Sequence, residues 1–324
     1  INTGEMIHDL RAQALPKGSA GYKVGDFAAN HLSAIKSALR PVLSAAGAAH
    51  TVLGDKATDA VGRGLSKIGV PMWSSAFPLA YYPHAIKTQP SELKVVYFPS
   101  CINQTMGKSK GLSTSLIDKM VALMEKAGYE VIFPKNMKNL CCGTIWESKG
   151  MPDIADRKAK ELDDALFEAS DGGRYPVLCD QSPCLHRMRN TIKRVKLYEP
   201  VEFIYEYLAP HLRFVQTDEP VALHFTCSTR HMKLNDMFVA LAGMCTTKVV
   251  VPEEVGCCGF AGDKGFTDPE VNRYALRKLR KQLETAGVKR GFSNSRTCEI
   301  GLTVNGGVPY QSIAYLVDEC TIKK

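Results

Sequence analysis

The tripeptide Cys-Cys-Gly occurs twice in this 324-residue sequence, at residues 141–143 and 257–259. Each copy is preceded by one cysteine and followed by another at comparable distances, so a longer pattern repeats. The matching residues are offset by 126, 116, 116 and 114 positions: Cys101 with Cys227, Cys141 with Cys257, Cys142 with Cys258, and Cys184 with Cys298. This internal duplication predicts two structurally similar domains.

Short apolar runs alternate with amphipathic segments around these cysteines. "KVVYFP", "STSLIDKMVALMEKAG" and "YEVIFP" predict a strand, a helix and a second strand, which is a βαβ unit with parallel strands. The same order recurs with "VALHFT", a helix near 232–243 and "TKVVVP". The sequence therefore predicts an α/β fold of two tandem, pseudo-symmetric domains built from parallel-sheet βαβ units, over residues 94–216 and 217–324.

Residues 1–93 differ from the rest of the chain. They are rich in alanine and leucine at helical spacing and end in the proline-rich segment "VPMWSSAFPLAYYP". We expect a helical N-terminal arm followed by an extended connector. Further along, "TDPE" at 267–270 predicts a helix start with Thr267 as N-cap and a capping box completed by Glu270. That helix is expected to turn four apolar side chains toward the core: Val271, Ala275, Leu279 and Leu283.

Composition narrows the chemistry of the cysteines. With 45% hydrophobic residues the chain is long enough to fold without disulfides, and no apolar run is long enough to span a membrane. Eleven cysteines favour metal or redox chemistry in a reducing compartment, so a cytoplasmic location is expected. The net charge of +8 is mild and its basic residues are scattered, which makes nucleic acid an unexpected partner.

The repeated cysteines follow predicted strands or start predicted helices. Because ligands of open α/β sheets gather outside the carboxyl ends of strands, we expect loops from several strands to bring these cysteines together. Cysteine thiolates without histidine suit an iron–sulfur cluster or a closed zinc site, and both remain open. The candidate metal ligands are Cys101, Cys141, Cys142, Cys179 and Cys184 in the first site, and Cys227, Cys257, Cys258 and Cys298 in the second.

Other residues near the pattern receive a structural interpretation. Ser293 stands where the second copy would match Cys179. Cys245 and Cys320 have no counterpart in the repeat and are expected to act as small buried apolar residues. His224 and His231 flank Cys227 and could serve as metal ligands or proton carriers, but packing or surface roles are the expectation for them. The glycine after each cysteine pair is expected to let the backbone approach a bulky inorganic group.

Several segments together resemble a known family over residues 94–324. They are "CDQSPC", "HFTCSTRHM", "CCGFAGDKGF", "SRTCEIGL" and "YQSIAYLVDEC". They resemble the C-terminal cysteine-rich (CCG) domain pair of FAD and iron–sulfur D-lactate dehydrogenases, which is related to the CCG-containing polypeptide of heterodisulfide reductase and to the glycolate oxidase iron–sulfur subunit. "INTGEMI" is similar to the stretch after that family's ferredoxin-like domain. The resemblance implies that residues 1–93 follow such a domain in a longer flavoprotein.

The resemblance also implies cofactors. Heterodisulfide reductase binds a noncubane four-iron cluster through five thiolates that end in Cys-x-x-Cys. Here four residues separate Cys179 from Cys184, so a cubane [4Fe-4S] cluster with a spare cysteine is equally compatible with the first site. The second site, with four cysteines, is compatible with a cubane cluster, a zinc ion or no metal. The first site is expected to hold a cluster more readily.

The implied role is electron transfer. In such a protein FAD, bound only in the N-terminal part outside this chain, takes two electrons from a D-2-hydroxy acid. Ferredoxin-like clusters and then the CCG site pass them to a quinone or cytochrome-type acceptor, with the inner face of the membrane as a place of peripheral association. No G-x-G-x-x-G follows a strand here, so the chain alone is expected to be inactive. The alternatives are heterodisulfide-reductase-like thiol/disulfide catalysis at the cluster, and a zinc-stabilised assembly module.

Overall fold

The N-terminal part of the chain is helical, as predicted. The computed structural model describes residues 3–66, 73–109 and 111–324. Four helices form the arm: α1 (Thr3–Ala14), α2 (Ala20–Asn30), α3 (Leu32–Leu53) and α4 (Asp55–Ser66). Ser19 caps α2, because its hydroxyl accepts a hydrogen bond from the backbone N–H of Tyr22. Residues 70–72 of the predicted connector lie outside the described residues, and 81–93 run without a helix or strand.

The first half of the remaining chain forms a four-stranded parallel sheet. Its strands lie in the order β2-β1-β3-β4. In chain order the elements are β1 (Lys94–Phe98), α5 (Leu116–Lys126), β2 (Glu130–Ile132), α6 (Thr144–Ser148), α7 (Pro152–Ala169), β3 (Val177–Cys179), α8 (Ser182–Thr191), β4 (Leu197–Tyr198), α9 (Pro200–Phe203) and β5 (Leu212–Phe214). The strand β1 is almost entirely buried between helices, which explains its continuous apolar sequence.

The second half repeats this topology. Its elements are β6 (Val221–Leu223), α10 (Cys227–His231), α11 (Asn235–Cys245), β7 (Val249–Val250), α12 (Pro269–Ala275), α13 (Leu279–Thr285), β8 (Arg290–Phe292), α14 (Arg296–Gly306), β9 (Tyr310–Gln311), α15 (Ile313–Glu319) and β10 (Thr321–Lys323). The four parallel strands lie in the order β7-β6-β8-β9. If β6 to β9 are matched with β1 to β4, the two strand orders are the same. The predicted pair of similar α/β units is confirmed.

The two halves share one core. The last strand, β10, pairs antiparallel with β5 of the first half, and α15 packs on α5. Apolar side chains from both halves, such as Phe203, Phe238 and Phe292, are fully buried in the same cluster. The chain therefore returns at its end to close on the first half. The exact boundaries at 94 and 217 stay predictions.

The arm packs against the first half. The indole N–H of Trp146 donates a hydrogen bond to the carbonyl of Gly25 at 2.9 Å. Gly25 lies so close to Met151 that a β-carbon there would fall 2.2 Å from its sulfur. With α2 docked closely on α6 and α7, the following helix, α3, contacts Met137–Asn139, just before the first cysteine pair.

The helix predicted after "TDPE" differs in two respects. Asp268 is the residue before α12, and the hydroxyl of Thr267 donates instead to the Lys264 carbonyl and the Asp268 carboxylate. The helix also stops at Ala275 and a second one begins at Leu279. As a result Val271 is 55% exposed, whereas Leu279 is fully buried. The capping box and the single apolar face were wrong, because a turn at 276–278 reorients the second helix.

In the described ranges of the chain, no helix combines the length and the apolar character needed to cross a membrane.

Candidate metal centres

The five cysteines of the first site come from four places along the chain. Cys101 follows β1, Cys141 and Cys142 lie in the loop before α6, Cys179 ends β3, and Cys184 lies in the first turn of α8. All of them are at the carboxyl edge of the first sheet, where a parallel sheet gathers its loops. The expectation that separate loops converge here is realised in the fold.

The thiols of the first site form a connected row. The sulfurs of Cys101 and Cys141 are 4.0 Å apart. Cys142 is hydrogen bonded to both Cys141 and Cys184. Cys179 is fully buried and lies close enough to the row to interact electrostatically with Cys142 and Cys101. The structure thus brings all five sequence-predicted cysteines of the first site together.

The second site has the same arrangement with four cysteines. The Cys227 and Cys257 sulfurs are 3.7 Å apart, and those of Cys258 and Cys298 are 3.1 Å apart. Cys257 and Cys258 are hydrogen bonded to each other, which completes the row. Cys227 and Cys257 are exposed, whereas Cys141 is buried. The second site is therefore the more open of the two.

Each glycine of the two Cys-Cys-Gly motifs is needed by the local backbone. Gly143 has φ +88° and Gly259 has φ +70°, in the left-handed region that glycine adopts most easily. A β-carbon on Gly143 would lie 2.3 Å from the carbonyl oxygen of Ala155, and one on Gly259 would lie 2.7 Å from that of Val271. The close approach in this structure is to α7 and α12, so helix packing requires both glycines. The approach of the backbone to an inorganic group stays an expectation.

Both halves match one family model, described as the CCG cysteine-rich domain, over residues 95–189 and 221–303. These two matches cover more than half of the chain. The chain belongs to the CCG cysteine-rich domain family. Each CCG copy contains one of the two sites, and the copies share both strand order and cysteine positions.

Comparisons with other proteins add little to this assignment. No curated protein matches the chain. Among solved structures, an aspartate racemase homologue from Pyrococcus horikoshii has 14% identity and a TM-score of 0.28, covering 70% of this chain and 96% of its own. The aspartate racemase of Picrophilus torridus has 9% identity and a TM-score of 0.32, covering 72% of this chain and 95% of its own. Both likenesses are too weak to support an argument.

Hydrogen bonds between thiols decide which one ionises first in each CCG site. Those from Cys141 and Cys184 hold the pKa of Cys142 well below its ordinary value. In the second site, those from Cys227 and Cys258 likewise lower the pKa of Cys257. A hydrogen bond with Cys141 also lowers the pKa of Cys101. The thiolate is the form that binds metals, so each site has at least one cysteine prepared for ligation.

Backbone N–H groups point at sulfur in both CCG loops. The N–H of Gly143 lies 3.5 Å from the Cys141 sulfur, and the N–H of Gly259 lies 3.3 Å from the Cys257 sulfur. Hydrogen bonds of this kind stabilise negative charge on sulfur and tune the potential of a bound cluster. Their recurrence shows that the duplicated loops reproduce the sulfur environment as well as the cysteine positions.

The donor set of each site suits an iron–sulfur cluster or a closed zinc site. Within the described ranges, no three histidine, cysteine, aspartate or glutamate side chains already stand where one metal ion would need them. The thiols extend as rows of four, and a four-iron cluster takes one thiolate per iron. Cys101, Cys141, Cys142 and Cys184 would hold it in the first site, with Cys179 as the additional donor.

Two buried cations near the first site were not predicted from the sequence. Lys36 of α3 is 3% exposed, and its ammonium donates to the Gln104 side chain at 2.7 Å. Burial lowers the pKa of Lys36 to about 8, while the nearby Cys101 and Cys141 thiols act in the opposite direction. Arg187 donates to the carbonyl of Cys142 at 2.9 Å. Only the tertiary fold brings these charges to the site, and no motif signals them.

The second CCG site has different polar groups around its thiols. Asn272 donates to the carbonyl of Cys258, as Arg187 does to that of Cys142. Ser293 follows β8 and is hydrogen bonded to His224, with 3.3 Å between the hydroxyl and the ring nitrogen Nδ1. Burial lowers the pKa of His224 to about 4, so its imidazole is neutral at physiological pH. The two sites therefore share their cysteine geometry but differ in the polar groups that surround it.

The remaining predicted residues lie elsewhere. Cys245 and Cys320 are buried in the shared core, where their thiols are hydrogen bonded to each other. Their expected role as small buried residues agrees with this position. His231 is exposed on α10, and its ring lies 5.5 Å from that of His186. Its expected surface role also agrees with the structure, whereas His224 is buried at the second site.

Proposed function

We propose that this chain is the iron–sulfur electron-transfer portion of a flavin-dependent D-2-hydroxyacid dehydrogenase, with D-lactate as the expected substrate class. The observation that carries the proposal is the first site, where five thiols converge beside the buried ammonium of Lys36. Family membership supports a redox-associated role for the cysteines. The flavin context rests on the sequence resemblance.

The charge balance of the first site supports a cluster there. Within the described residues, Lys36 forms no salt bridge, and its ammonium is bonded only to a neutral amide. A buried ammonium without a counter-ion is costly unless a negative group lies nearby. A four-iron cluster with its thiolates carries negative charge, which Lys36 would offset. A cubane [4Fe-4S] cluster and a noncubane cluster with Cys179 as fifth ligand both satisfy this balance.

When bound, such a cluster takes up and releases one electron at a time. The residues of the chain hold the cluster, shield it in the first site and orient N–H donors toward its sulfurs. In this proposal the electrons come from FAD through ferredoxin-like clusters of the same longer polypeptide, and a quinone or cytochrome-type molecule accepts them. Peripheral contact with the membrane's inner face would serve a quinone acceptor.

A second candidate function is favoured by the openness of the second site. Cys227 and Cys257 are exposed, and the pKa of Cys257 is lowered by its thiol neighbours. An exposed cysteine with thiolate character can react with a disulfide. Thiol/disulfide catalysis like that of heterodisulfide reductase is therefore the alternative. A zinc-stabilised assembly module would require zinc alone in both sites.

The proposed function is tested by anaerobic purification with iron, acid-labile sulfide and zinc assays. We expect iron and sulfide in the first site and one-electron reduction seen by electron paramagnetic resonance (EPR). The dithionite-reduced chain should be reoxidised by a water-soluble quinone and should not consume a disulfide. Zinc without iron would overturn the electron-transfer role in favour of the assembly module, and disulfide consumption would favour the alternative catalyst.

A further inference from the structure

His224 is a buried histidine with one ring nitrogen that has no partner. The residue lies directly after β6 and is 3% exposed. Its Nδ1 is 3.3 Å from the hydroxyl oxygen of Ser293. Its Nε2 is also buried, and nothing in the described part of the chain forms a hydrogen bond with it. A buried polar atom without a partner costs free energy, so this nitrogen indicates a group that the protein chain itself does not supply.

The position of His224 is related to that of a cysteine in the other copy. In the first sheet, Phe98 of β1 is paired with Cys179 of β3. In the second sheet Leu223 is paired with Phe292, so the next residues, His224 and Ser293, occupy the matching pair. The second copy has therefore lost a sulfur donor on one strand and gained a nitrogen donor on the neighbouring strand.

His224 lies near the second row of thiols. It interacts electrostatically with Cys257, the thiol whose pKa is lowered by its neighbours. Cys257 in turn contacts Cys227 at 3.7 Å between sulfurs. The Nδ1 of His224 is hydrogen bonded to Ser293, the residue at the place of Cys179, while its Nε2 is buried and has no partner among the described residues.

We propose that Nε2 of His224 is a ligand of the metal group held by the thiolates of the second site. This inference rests on the proposed metal-binding role of the CCG cysteines. In this proposal Nδ1–H donates to the hydroxyl of Ser293, which leaves the lone pair on Nε2 and fixes the ring orientation, as outer partners of metal-bound histidines commonly do. Ser293 is then a positioning residue.

A mixed sulfur and nitrogen donor set selects borderline-soft metals. Three cysteines and one histidine form a closed zinc site, and histidine also replaces cysteine at some iron–sulfur clusters, where it raises the reduction potential. The proposed metal–imidazole bond would form with either a zinc ion or an iron–sulfur cluster. The second site would consequently differ from the all-sulfur first site in the identity of its ligands and, with a cluster, in its potential.

The experiment uses the full chain carrying Cys101→Ser, Cys141→Ser, Cys142→Ser and Cys184→Ser, so that the first site keeps a single thiol and the second site is the one that binds metal. One sample is loaded with zinc and another with iron and sulfide under anaerobic conditions. In the zinc sample, X-ray absorption at the zinc edge should show a nitrogen at about 2.0–2.1 Å beside sulfurs at about 2.3 Å. In the iron sample, pulsed EPR of the reduced cluster should show a nitrogen coupling that changes when histidine is labelled with 15N.

Three variants separate ligation from structure. His224→Phe, which copies Phe98 of the first site, should remove the nitrogen signal in both samples. His231→Phe changes an exposed histidine four residues after Cys227 and should leave the signal unchanged. Ser293→Ala should keep the nitrogen but weaken metal affinity by about tenfold, the scale of outer-partner effects. The isotope readout needs no substitution at His224, so a folding defect in that variant does not decide the result.

The outcomes distinguish this inference from the proposed function. Bound metal with an all-sulfur shell, or a nitrogen signal that survives His224→Phe, would overturn the inference and leave metal binding intact. No metal in either sample would overturn a metal role for the second site, and the inference with it. In that case, iron and sulfide bound by the chain with intact Cys141 and Cys142 would still support a cluster in the first site.

Discussion

Cys179 and Ser293 occupy equivalent positions where the third strand of each parallel sheet ends. Cys179 is paired with Phe98 across β1 and β3, and Ser293 lies beside His224 in the matching place. Both residues are fully buried. An oxygen atom thus replaces a sulfur atom at this place, whereas the other four cysteines of the two sites follow the same pattern. The soft thiolate binds iron strongly and the serine hydroxyl does not, so the two sites should differ in cluster retention.

Replacement of the second cysteine of each Cys-Cys-Gly motif should affect the two sites unequally. We expect Cys142→Ser to abolish the main iron signal, whereas the matched change Cys258→Ser should leave most of it. Iron per chain and absorbance at about 400 nm, the region of thiolate-to-iron charge transfer, measure the effect after anaerobic reconstitution. Equal loss in the two variants would show that the first site is not the principal cluster site.

Restoring the missing sulfur should strengthen the second site. Ser293→Cys gives that site a fifth thiol at the place of Cys179, and iron retained after gel filtration should rise. Ser295→Cys is the matched control, because Ser295 is also buried and lies two residues further on. An equal gain from Ser295→Cys would contradict the assigned position.

The charge of Lys36 should set the potential of the first cluster. Lys36→Met removes a buried cation beside Cys101 and Cys141, so the reduced, more negative state loses stabilisation and the potential should fall. A shift of about 59 mV corresponds to a tenfold change for one electron, and we expect a shift of that order. Redox titration followed by EPR measures it. Lys23→Met, on the exposed side of α2, should leave the potential unchanged.

The two halves are joined by a salt bridge that should make stability depend on pH. Asp318 of α15 lies 2.5 Å from both Lys119 and Lys126 of α5. Burial acts to raise the pKa of Asp318, but hydrogen bonds from the two lysines outweigh it and hold that pKa below its ordinary value. The bridge therefore stabilises the fold above the unfolded-state pKa near 3.8, and the stabilisation is lost as pH falls through the lower folded pKa.

Asp318→Asn tests this dependence. At pH 7 the variant should have a free energy of unfolding about 2 kcal/mol lower than the parent chain, since a largely buried pair loses one partner. The difference should shrink as pH is lowered below about 4. Urea unfolding followed by circular dichroism measures both. A difference that stays constant down to about pH 3 would show that the carboxylate's charge is not the cause.

The glycine of the first Cys-Cys-Gly motif should tolerate no β-carbon. Gly143→Ala puts an alanine in the left-handed backbone conformation, which costs roughly 1–2 kcal/mol. Its β-carbon would also clash with the Ala155 carbonyl, which forces the loop or α7 to move. Gly128→Ala is the matched control, because Gly128 has φ +86° and open space around it. We expect the unfolding free energy of Gly143→Ala to fall clearly more than that of Gly128→Ala. Equal losses would mean that backbone strain alone requires glycine.

The repeated architecture could be predicted from the order of residues alone. The period of apolar residues specifies the succession of strands and helices, and the regular spacing of cysteines after strands places them at one edge of each sheet. These features are local, because each depends on residues that are neighbours along the chain. The helix after "TDPE" shows the limit, since the periodicity predicted one continuous apolar face, whereas the helix breaks at 276–278 and leaves Val271 exposed.

The surroundings of the thiols, in contrast, follow from contacts between distant parts of the chain. Lys36 lies 65 positions before Cys101, and it reaches the site because the arm packs on α6 and α7. His224 was expected to have a packing or surface role, and its free ring nitrogen is recognised only when β6 and β8 are laid side by side. Burial and long-range pairing determine which charges lie near a site and which of its polar atoms have no partner. The spacing of residues along the chain does not show either property.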